Sequence, residues 1–163
     1  MDRKPDLPEW HGNGDAMRAL QIELARQVSL RDGFAKPLRT VAGFDVGFEE
    51  AGSITRAAAV LLDASTLAVI DQQVACLPTR MPYIPGLLSF RELPALLEAL
   101  NMLSSPPDLA FVDGHGIAHP RRLGIAAHFG VVTGLPSIGV GKSIHVGEAR
   151  QALHGMRGAF TPL

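Results

Sequence analysis

Three acidic residues, well separated along the chain, have the type and setting that metal-assisted chemistry requires. Asp113 follows the apolar run Leu109–Val112, which predicts a buried strand, so its carboxylate is expected at the carboxyl end of that strand. Ligands bind at this edge of open α/β sheets, and a carboxylate held there can bind a hard cation. Asp45 lies within a second apolar segment, Val41–Phe48, where a lone buried carboxylate is unfavourable without a cation, hydrogen-bond donors or an open edge. Asp45 and Asp113 are therefore the candidate metal ligands.

Glu92, at a predicted helix start, is the third candidate acid. Carboxylates on neighbouring strands repel each other unless a positive charge lies between them, and Mg²⁺ suits this position because it takes oxygen ligands and bridges to phosphate. Each acid also has an ordinary structural explanation. Asp113 could cap the next helix, Asp45 could accept backbone hydrogen bonds, and Glu92 could simply suit the helix dipole. The residues alone leave these alternatives open.

Several side chains downstream of the acidic strand end are candidates for binding phosphate or a base. Gly114 begins a stretch in which the backbone must bend tightly or approach something closely. His119 and Arg121 could bind phosphate at a helix N-terminus, and Lys142 could meet a phosphate just after a later strand. The alternative for each is a solvated surface residue. The histidines have no zinc-site spacing with a cysteine, so no structural zinc is predicted.

Tyr83, the only tyrosine, lies in the proline-containing loop Met81-Pro82-Tyr83-Ile84-Pro85-Gly86. Prolines restrict the backbone on both sides of the ring, so the loop is stiff. An aromatic ring held in this way can wedge between bases or stack on one of them. The alternative is a ring that anchors the loop in the core.

The composition predicts a single globular α/β domain over residues 1–163. Hydrophobic residues make up 47% of the chain and charged residues 19%, which is far from the composition of disordered proteins. The net charge of -1 gives no overall attraction to nucleic acid, so any such binding must use local basic clusters. Cys76 is the only cysteine, which excludes an intrachain disulfide, and Met1–Trp10 contains no apolar signal segment. With no stretch long enough to span a bilayer, a cytoplasmic monomer with no membrane contact is expected.

The hydrophobic pattern predicts an amphipathic helix, a three-strand meander, and then helices alternating with strands. The predicted elements are a helix over 15–28 capped near Asp15, strands over 40–48, 55–62 and 66–75, one or two helices over 87–103 broken near Pro94, a strand over 109–113, a helical stretch ending near 130 and a strand over 135–140. Short connections favour antiparallel pairing of the first strands, whereas strand-helix-strand order implies a parallel crossover. This is the element order of a ribonuclease H-like mixed sheet.

The segments that carry these candidate residues closely resemble the endonuclease V family. In order along the chain, from about Leu20 to Lys142, the matching segments are 44–48, 81–86, 88–92, 111–116 and 119–124. The resemblance implies a DNA repair endonuclease that recognises deaminated bases, chiefly deoxyinosine. Such an enzyme hydrolyses the second phosphodiester bond 3′ to the lesion, leaves a 3′-hydroxyl and a 5′-phosphate, and does not remove the base.

The resemblance also implies site residues. Asp45, Glu92 and Asp113 would be the catalytic carboxylates, with Asp45 and Asp113 holding Mg²⁺, or Mn²⁺ in its place. The family's proline-flanked tyrosine separates the strands beside the lesion, and its glycine after the strand-end aspartate lines the pocket for the extruded base. The implied substrate-binding residues are Pro82, Tyr83, Ile84, Pro85, Gly114, His119, Arg121 and Lys142.

The C-terminal part departs from the family pattern, because relatives continue past the position of Leu163 with a strand, a helix and a further site residue. Lower stability and activity than those of a full-length relative are therefore expected. Two alternatives stay open on the sequence: a non-cleaving module that binds inosine-containing nucleic acid, and a ribonuclease that acts on inosine in RNA.

Overall fold

The computed structural model describes residues 7–34 and 36–163, so Met1–Trp10, the stretch considered for a signal segment, lies partly outside it. In the described residues, no helix is both long and apolar enough to cross a bilayer. The elements are α1 (Gly14–Ala25), β1 (Thr40–Glu49), a 3-10 turn (Glu50–Gly52), β2 (Ile54–Asp63), β3 (Val69–Pro78), α2 (Leu88–Met102), β4 (Leu109–Asp113), α3 (Ile125–Thr133) and β5 (Ser137–Val140).

The strands form one mixed sheet in the order β3-β2-β1-β4-β5. β1 pairs with β2 and β2 with β3 in antiparallel fashion, whereas β1 with β4 and β4 with β5 are parallel. The predicted meander followed by parallel strands with flanking helices is therefore confirmed. The two parallel pairs end at the same edge of the sheet, which is the edge expected to carry ligands.

Local hydrogen bonds explain where the observed boundaries differ from the predicted ones. β3 begins at Val69 and not at residue 66, because the Asp63 carboxylate accepts hydrogen bonds from the backbone and hydroxyl groups of Ser65 and Thr66 and holds a turn there. The cap of α1 is Asn13, with Asp15 in the first turn, since the Asn13 side chain accepts the first free N–H groups of the helix.

The predicted helix break near Pro94 and the capping role considered for Asp113 are both wrong. α2 runs through Pro94 without ending, and buried apolar residues on both sides, including Leu93 and Leu96, keep it packed on the sheet. The segment after Asp113 is a loop, and α3 begins only at Ile125. Asp113 therefore does not cap a helix, which removes the structural alternative considered for it.

The hydrophobic core lies on one face of the sheet, under α2 and α3. Alternate residues of β1 and β4 point towards these helices, among them Ala42, Phe44 and Val112, all of which are buried. The Phe44 ring lies 4.9 Å from that of Phe129 on α3, measured between centroids. A second, smaller cluster joins α1 to the start of α2 through residues such as Met17 and Leu87. This arrangement fixes the parallel strands that carry the candidate acids.

Acid should destabilise the fold through His128, a fully buried residue of α3 whose Nδ1 lies 3.0 Å from the Ser89 hydroxyl. Burial lowers the pKa of His128 from 6.5 to about 4. Between these pH values His128 is protonated in the unfolded chain and neutral in the folded chain, so the free energy of unfolding falls as the pH drops. We expect His128 to account for a loss of about 2 kcal/mol between pH 7.5 and pH 5.

Urea titrations at the two pH values test this expectation. A His128→Leu chain should lose less stability on acidification than the wild-type chain, by about the amount stated above. His154→Leu is the matched control, because His154 is exposed and its replacement should leave the pH dependence unchanged. Equal pH dependence in the wild-type and His128→Leu chains would contradict the prediction.

Candidate active site

The parallel pairing of β1 with β4 places Asp45 and Asp113 side by side. Phe44 pairs with Val112, so the next residues, Asp45 and Asp113, also lie side by side on the two strands. The backbones of neighbouring strands are about 4.8 Å apart. Both acids line a shallow cavity of about 320 Å³ on the sheet face opposite the helices. The structure therefore brings together the two acids that the sequence nominated as metal ligands.

Asp45 is exposed, although apolar residues flank it in the sequence. Its neighbours Phe44 and Val46 point towards the helix layer, and the alternation of the strand turns Asp45 to the open face. Its Oδ1 accepts a hydrogen bond of 2.8 Å from the Val46 N–H. The carboxylate is thus accessible to a ligand, and it also accepts a backbone hydrogen bond, which was the structural alternative considered for it.

Glu92 on α2 lies within electrostatic range of both aspartates. Burial, followed by the negative charges of Asp113 and Asp45, raises the pKa of Glu92 from 4.5 to about 7. A carboxyl with this pKa can both hold and release a proton near neutral pH. The three predicted catalytic acids therefore form one electrostatic group, and a nearby cation would relieve the repulsion among them.

Lys142 is the cationic partner that the structure shows for Asp113. Its Nζ donates a hydrogen bond of 2.7 Å to Oδ2 of Asp113. This bond is the main reason why the pKa of Asp113 is lowered and that of Lys142 is raised. Lys142 is otherwise exposed, so the ammonium can also turn towards a bound phosphate.

The oxygen-rich donor set fits a hard divalent cation. In the part of the chain that the structure describes, no three acidic, histidine or cysteine side chains already form a complete metal site. The fit rests instead on the two aspartates at one strand edge and on Glu92, whose pKa is raised by burial and by the negative charges of both aspartates. Carboxylate oxygens with water in the remaining positions are the ligands that Mg²⁺ prefers.

Residues 82–86 form a tyrosine loop that presents Tyr83 to solvent. The Tyr83 side chain is 63% exposed, which removes the alternative of a core anchor. Pro82 and Pro85 are also exposed, whereas Ile84 packs on the small cluster of Met17, Met81, Leu87 and Phe90. The loop is thus fixed at its base by apolar contacts and free at its tip.

Residues 114–124 form a glycine loop that joins β4 to α3. Gly114 has a φ of +118°, and a Cβ there would lie 2.5 Å from Cγ2 of Ile125. Its N–H donates to the Val140 carbonyl at 2.9 Å, so the loop continues the pairing between β4 and β5. Only glycine suits this conformation and this close packing beside Asp113.

His119 and Arg121 do not lie at a helix N-terminus, because α3 begins after the glycine loop. His119 is buried, and burial followed by the charge of Arg121 lowers the pKa of His119 to about 4, so it is neutral at pH 7. The Arg121 guanidinium donates to the carbonyl of Gly86 at 2.7 Å and also to the side chain of Gln21. Binding of substrate by these two residues stays a prediction.

Gln21 was not among the predicted site residues, yet it is fully buried between the two loops. Its amide contacts the backbone of Gly86, at the end of the tyrosine loop, and that of Leu123, in the glycine loop. The sequence carries a signal for it. Gln21 stands four residues after Met17 and three before Leu24, which places a polar residue on the apolar face of α1.

A mixed sheet of this order, with acidic side chains at the carboxyl edge of its central parallel strands, defines an α/β protein of the ribonuclease H-like class. Comparison with known proteins narrows the class. The model of the Endonuclease V family matches residues 22–163. This chain therefore belongs to the endonuclease V family of nucleases.

Individual relatives agree with this assignment. Endonuclease V of Azotobacter vinelandii is 61% identical over 161 residues, which is 98% of this chain and 72% of that protein. The crystal structure of the enzyme from Streptomyces avermitilis has a TM-score of 0.86 at 41% identity, covering 96% of this chain and 68% of the other. Endonuclease V of Ciona intestinalis, solved with DNA containing an inosine followed by a ribo-adenosine, has a TM-score of 0.73 at 28% identity, covering 79% and 57%.

Proposed function

We propose that this chain is a divalent-metal-dependent endonuclease that hydrolyses the second phosphodiester bond on the 3′ side of a deaminated base, chiefly deoxyinosine. The observation that carries the proposal is the pairing of β1 with β4, which sets Asp45 beside Asp113 and within electrostatic range of Glu92. Membership of the endonuclease V family and the inosine-containing DNA bound by the Ciona relative support the choice of substrate.

Asp45 and Asp113 would hold Mg²⁺, or Mn²⁺ in its place, which supplies Lewis-acid polarisation of the phosphate and lowers the pKa of water. Glu92 orients the attacking water and accepts its proton on a carboxylate oxygen, since α2 holds this carboxyl within electrostatic range of both aspartates. Lys142 exchanges its contact with Asp113 for one with the phosphate and so places positive charge beside the reacting group.

The tyrosine loop and the glycine loop recognise the base. The exposed ring of Tyr83 enters the duplex beside the lesion and fills the gap that the extruded base leaves. Backbone groups around Gly114 then contact the edge of the base. Hypoxanthine lacks the exocyclic amine of guanine, so close packing at this point admits it and rejects guanine. Extrusion is cheapest for a weakened base pair, which adds to the preference for damaged sites.

Nicking of a defined duplex tests the proposal. A duplex with one deoxyinosine is incubated with the chain and Mg²⁺, beside the same duplex with deoxyguanosine or deoxyadenosine at that position. One nick, at the second bond 3′ to inosine, is expected in the first duplex only. An RNA strand of the same sequence that contains inosine should be tested beside these duplexes, because the Ciona relative was solved with DNA in which a ribo-adenosine follows the inosine. Tight binding without a nick would instead identify a binding module.

Removal of the Tyr83 ring should weaken recognition of the lesion without destabilising the fold. Stacking of a base on an aromatic ring is worth about 1–3 kcal/mol, so Tyr83→Ala should lower kcat/KM on the inosine duplex by about tenfold or more. The melting temperature should be unchanged, because the side chain is 63% exposed. Tyr83→Phe is the control and should keep most activity. Unchanged cleavage by Tyr83→Ala would show that the ring does not act as a wedge.

A further inference from the structure

We propose that Gln21 is a positioning residue that holds the tyrosine loop and the glycine loop at a fixed separation, so that strand opening and capture of the base occur together. The inference rests on the proposed function, since it assigns a task to the contact between the two loops. Gln21 itself would touch neither the base nor the scissile phosphate.

The Gln21 side chain bridges the two loops through one nitrogen. Nε2 donates to the carbonyl of Gly86 at 3.0 Å and to the carbonyl of Leu123 at 2.9 Å. Since both partners are acceptors, the nitrogen and not the oxygen of the amide must face them. Oε1 accepts a hydrogen bond from Nε of Arg121. The residues that Gln21 contacts lie 65 to 102 positions further along the chain.

The Gly86 carbonyl ends the tyrosine loop and is held from two sides. It accepts from Nε2 of Gln21 and from Nη2 of Arg121, the latter at 2.7 Å. Gly86 has a φ of +78°, which lets the chain turn into Leu87 at the start of α2. A shift of this carbonyl would move Tyr83, three residues earlier, relative to the rest of the fold.

The Leu123 carbonyl is the corresponding fixed point of the glycine loop. Leu123 is fully buried, and the next residue, Gly124, donates its N–H to the Gly116 carbonyl at 2.8 Å. The Ala126 N–H donates to the His115 carbonyl at 3.1 Å. The segment around Gly114 is therefore tied to Leu123 by short backbone bonds, and Gln21 connects it to the loop that carries Tyr83.

No other side chain of similar size offers this pattern of groups. Glutamate cannot donate to the two carbonyls, methionine fills the volume without a polar group, and asparagine is one methylene shorter. Gln21→Met should therefore keep the packing of α1 and remove all three bonds. The tyrosine loop could then shift relative to the glycine loop, although the carboxylate group at the strand edge would be unaffected.

The test compares two substrates that differ in the need for strand opening. One is a duplex with a single deoxyinosine, and the other carries the same deoxyinosine in a mismatched bubble that is already open. Gln21→Met removes the three bonds that join the two loops, so it should lower kcat/KM on the duplex by about tenfold and change it little on the bubble. Gln27→Met is the matched control, because Gln27 is exposed just beyond α1, and it should match the wild-type chain on both substrates.

Gln21→Asn provides a second variant in case Gln21→Met does not melt cooperatively. It keeps an amide at this buried position but is one methylene shorter, so it cannot reach both the Gly86 and the Leu123 carbonyls, and it should show the same duplex-specific loss. Combining Gln21→Met with Tyr83→Ala should add little further loss on the duplex, since both would disable the same step.

Each outcome either supports or overturns the proposed role of Gln21. An equal loss on duplex and bubble would mean that Gln21 only stabilises the fold, and no loss on either would mean that the bridge is dispensable; both results overturn the inference and leave the proposed function intact. A wild-type chain that cuts neither substrate would overturn the proposed function, and the inference with it.

Discussion

The Asp113→Asn chain is expected to nick an inosine-containing duplex at least about 10³-fold more slowly than the wild-type chain. Asp113 is one of two carboxylates at the carboxyl edge of the parallel strands, and its replacement by a neutral amide removes half of the charge that would hold the cation. Stabilisation of the developing charge by a bound metal is worth several kcal/mol, and about 4 kcal/mol corresponds to this factor. Single-turnover nicking at saturating enzyme and fixed Mg²⁺ measures the effect, and Asp45→Asn should behave in the same way.

A readout that does not depend on cleavage separates loss of the metal from loss of the fold. Mg²⁺ that binds only the folded chain should raise the melting temperature of the wild-type protein and leave that of Asp113→Asn unchanged. Without Mg²⁺ the variant should melt close to the wild-type temperature, because loss of the exposed ion pair with Lys142 offsets the relief of repulsion on Glu92. Asp32→Asn is the control at an exposed acid and should be active. If the Asp113→Asn chain cuts at the wild-type rate, the pair of aspartates is not required for cleavage, which would contradict the prediction.

Phe129→Ala should be the most destabilising single replacement considered for this chain. The Phe129 side chain is fully buried on α3, and its ring contacts that of Phe44, the residue before Asp45. Truncation of a buried phenylalanine costs about 3–5 kcal/mol, because it removes apolar contacts and leaves a cavity. In a chain of this size, a loss of this magnitude lowers the melting temperature by about 10 °C.

Thermal melting followed by circular dichroism measures this loss. Phe160→Ala is the matched control, since Phe160 is 85% exposed and its replacement should leave the melting temperature unchanged. The folded fraction of Phe129→Ala should also cut DNA more slowly, because Phe44 can shift into the cavity and displace Asp45. A variant that melts within a degree of the wild-type chain would mean that α3 contributes little to holding β1.

Much of the fold follows from patterns that act over a few residues. Alternating apolar residues with short connections predicted the meander, and the strand-helix-strand order predicted the parallel pairs, both of which the sheet confirms. The errors lie where tertiary packing overrides local preference. Pro94 does not end α2, because helix residues before and after the proline are buried against the sheet. The helix-capping role considered as an alternative for Asp113 is also wrong, because the segment after Asp113 is a loop that packs on β5 and α3.

By itself the sequence determined which residue types stand at the strand ends and in the stiff loop. Asp113 after an apolar run and Tyr83 between prolines are local facts, and local geometry was enough to nominate them. Only the tertiary structure decided that Asp45 faces the open side of the sheet, that Lys142 pairs with Asp113, and that Gln21 joins two distant loops. The physical reason is the separation along the chain over which each kind of interaction acts. Periodicity and turn chemistry act between neighbours in the chain, whereas hydrogen bonds and ion pairs depend on which distant segments the packed sheet brings within about 3 Å of each other.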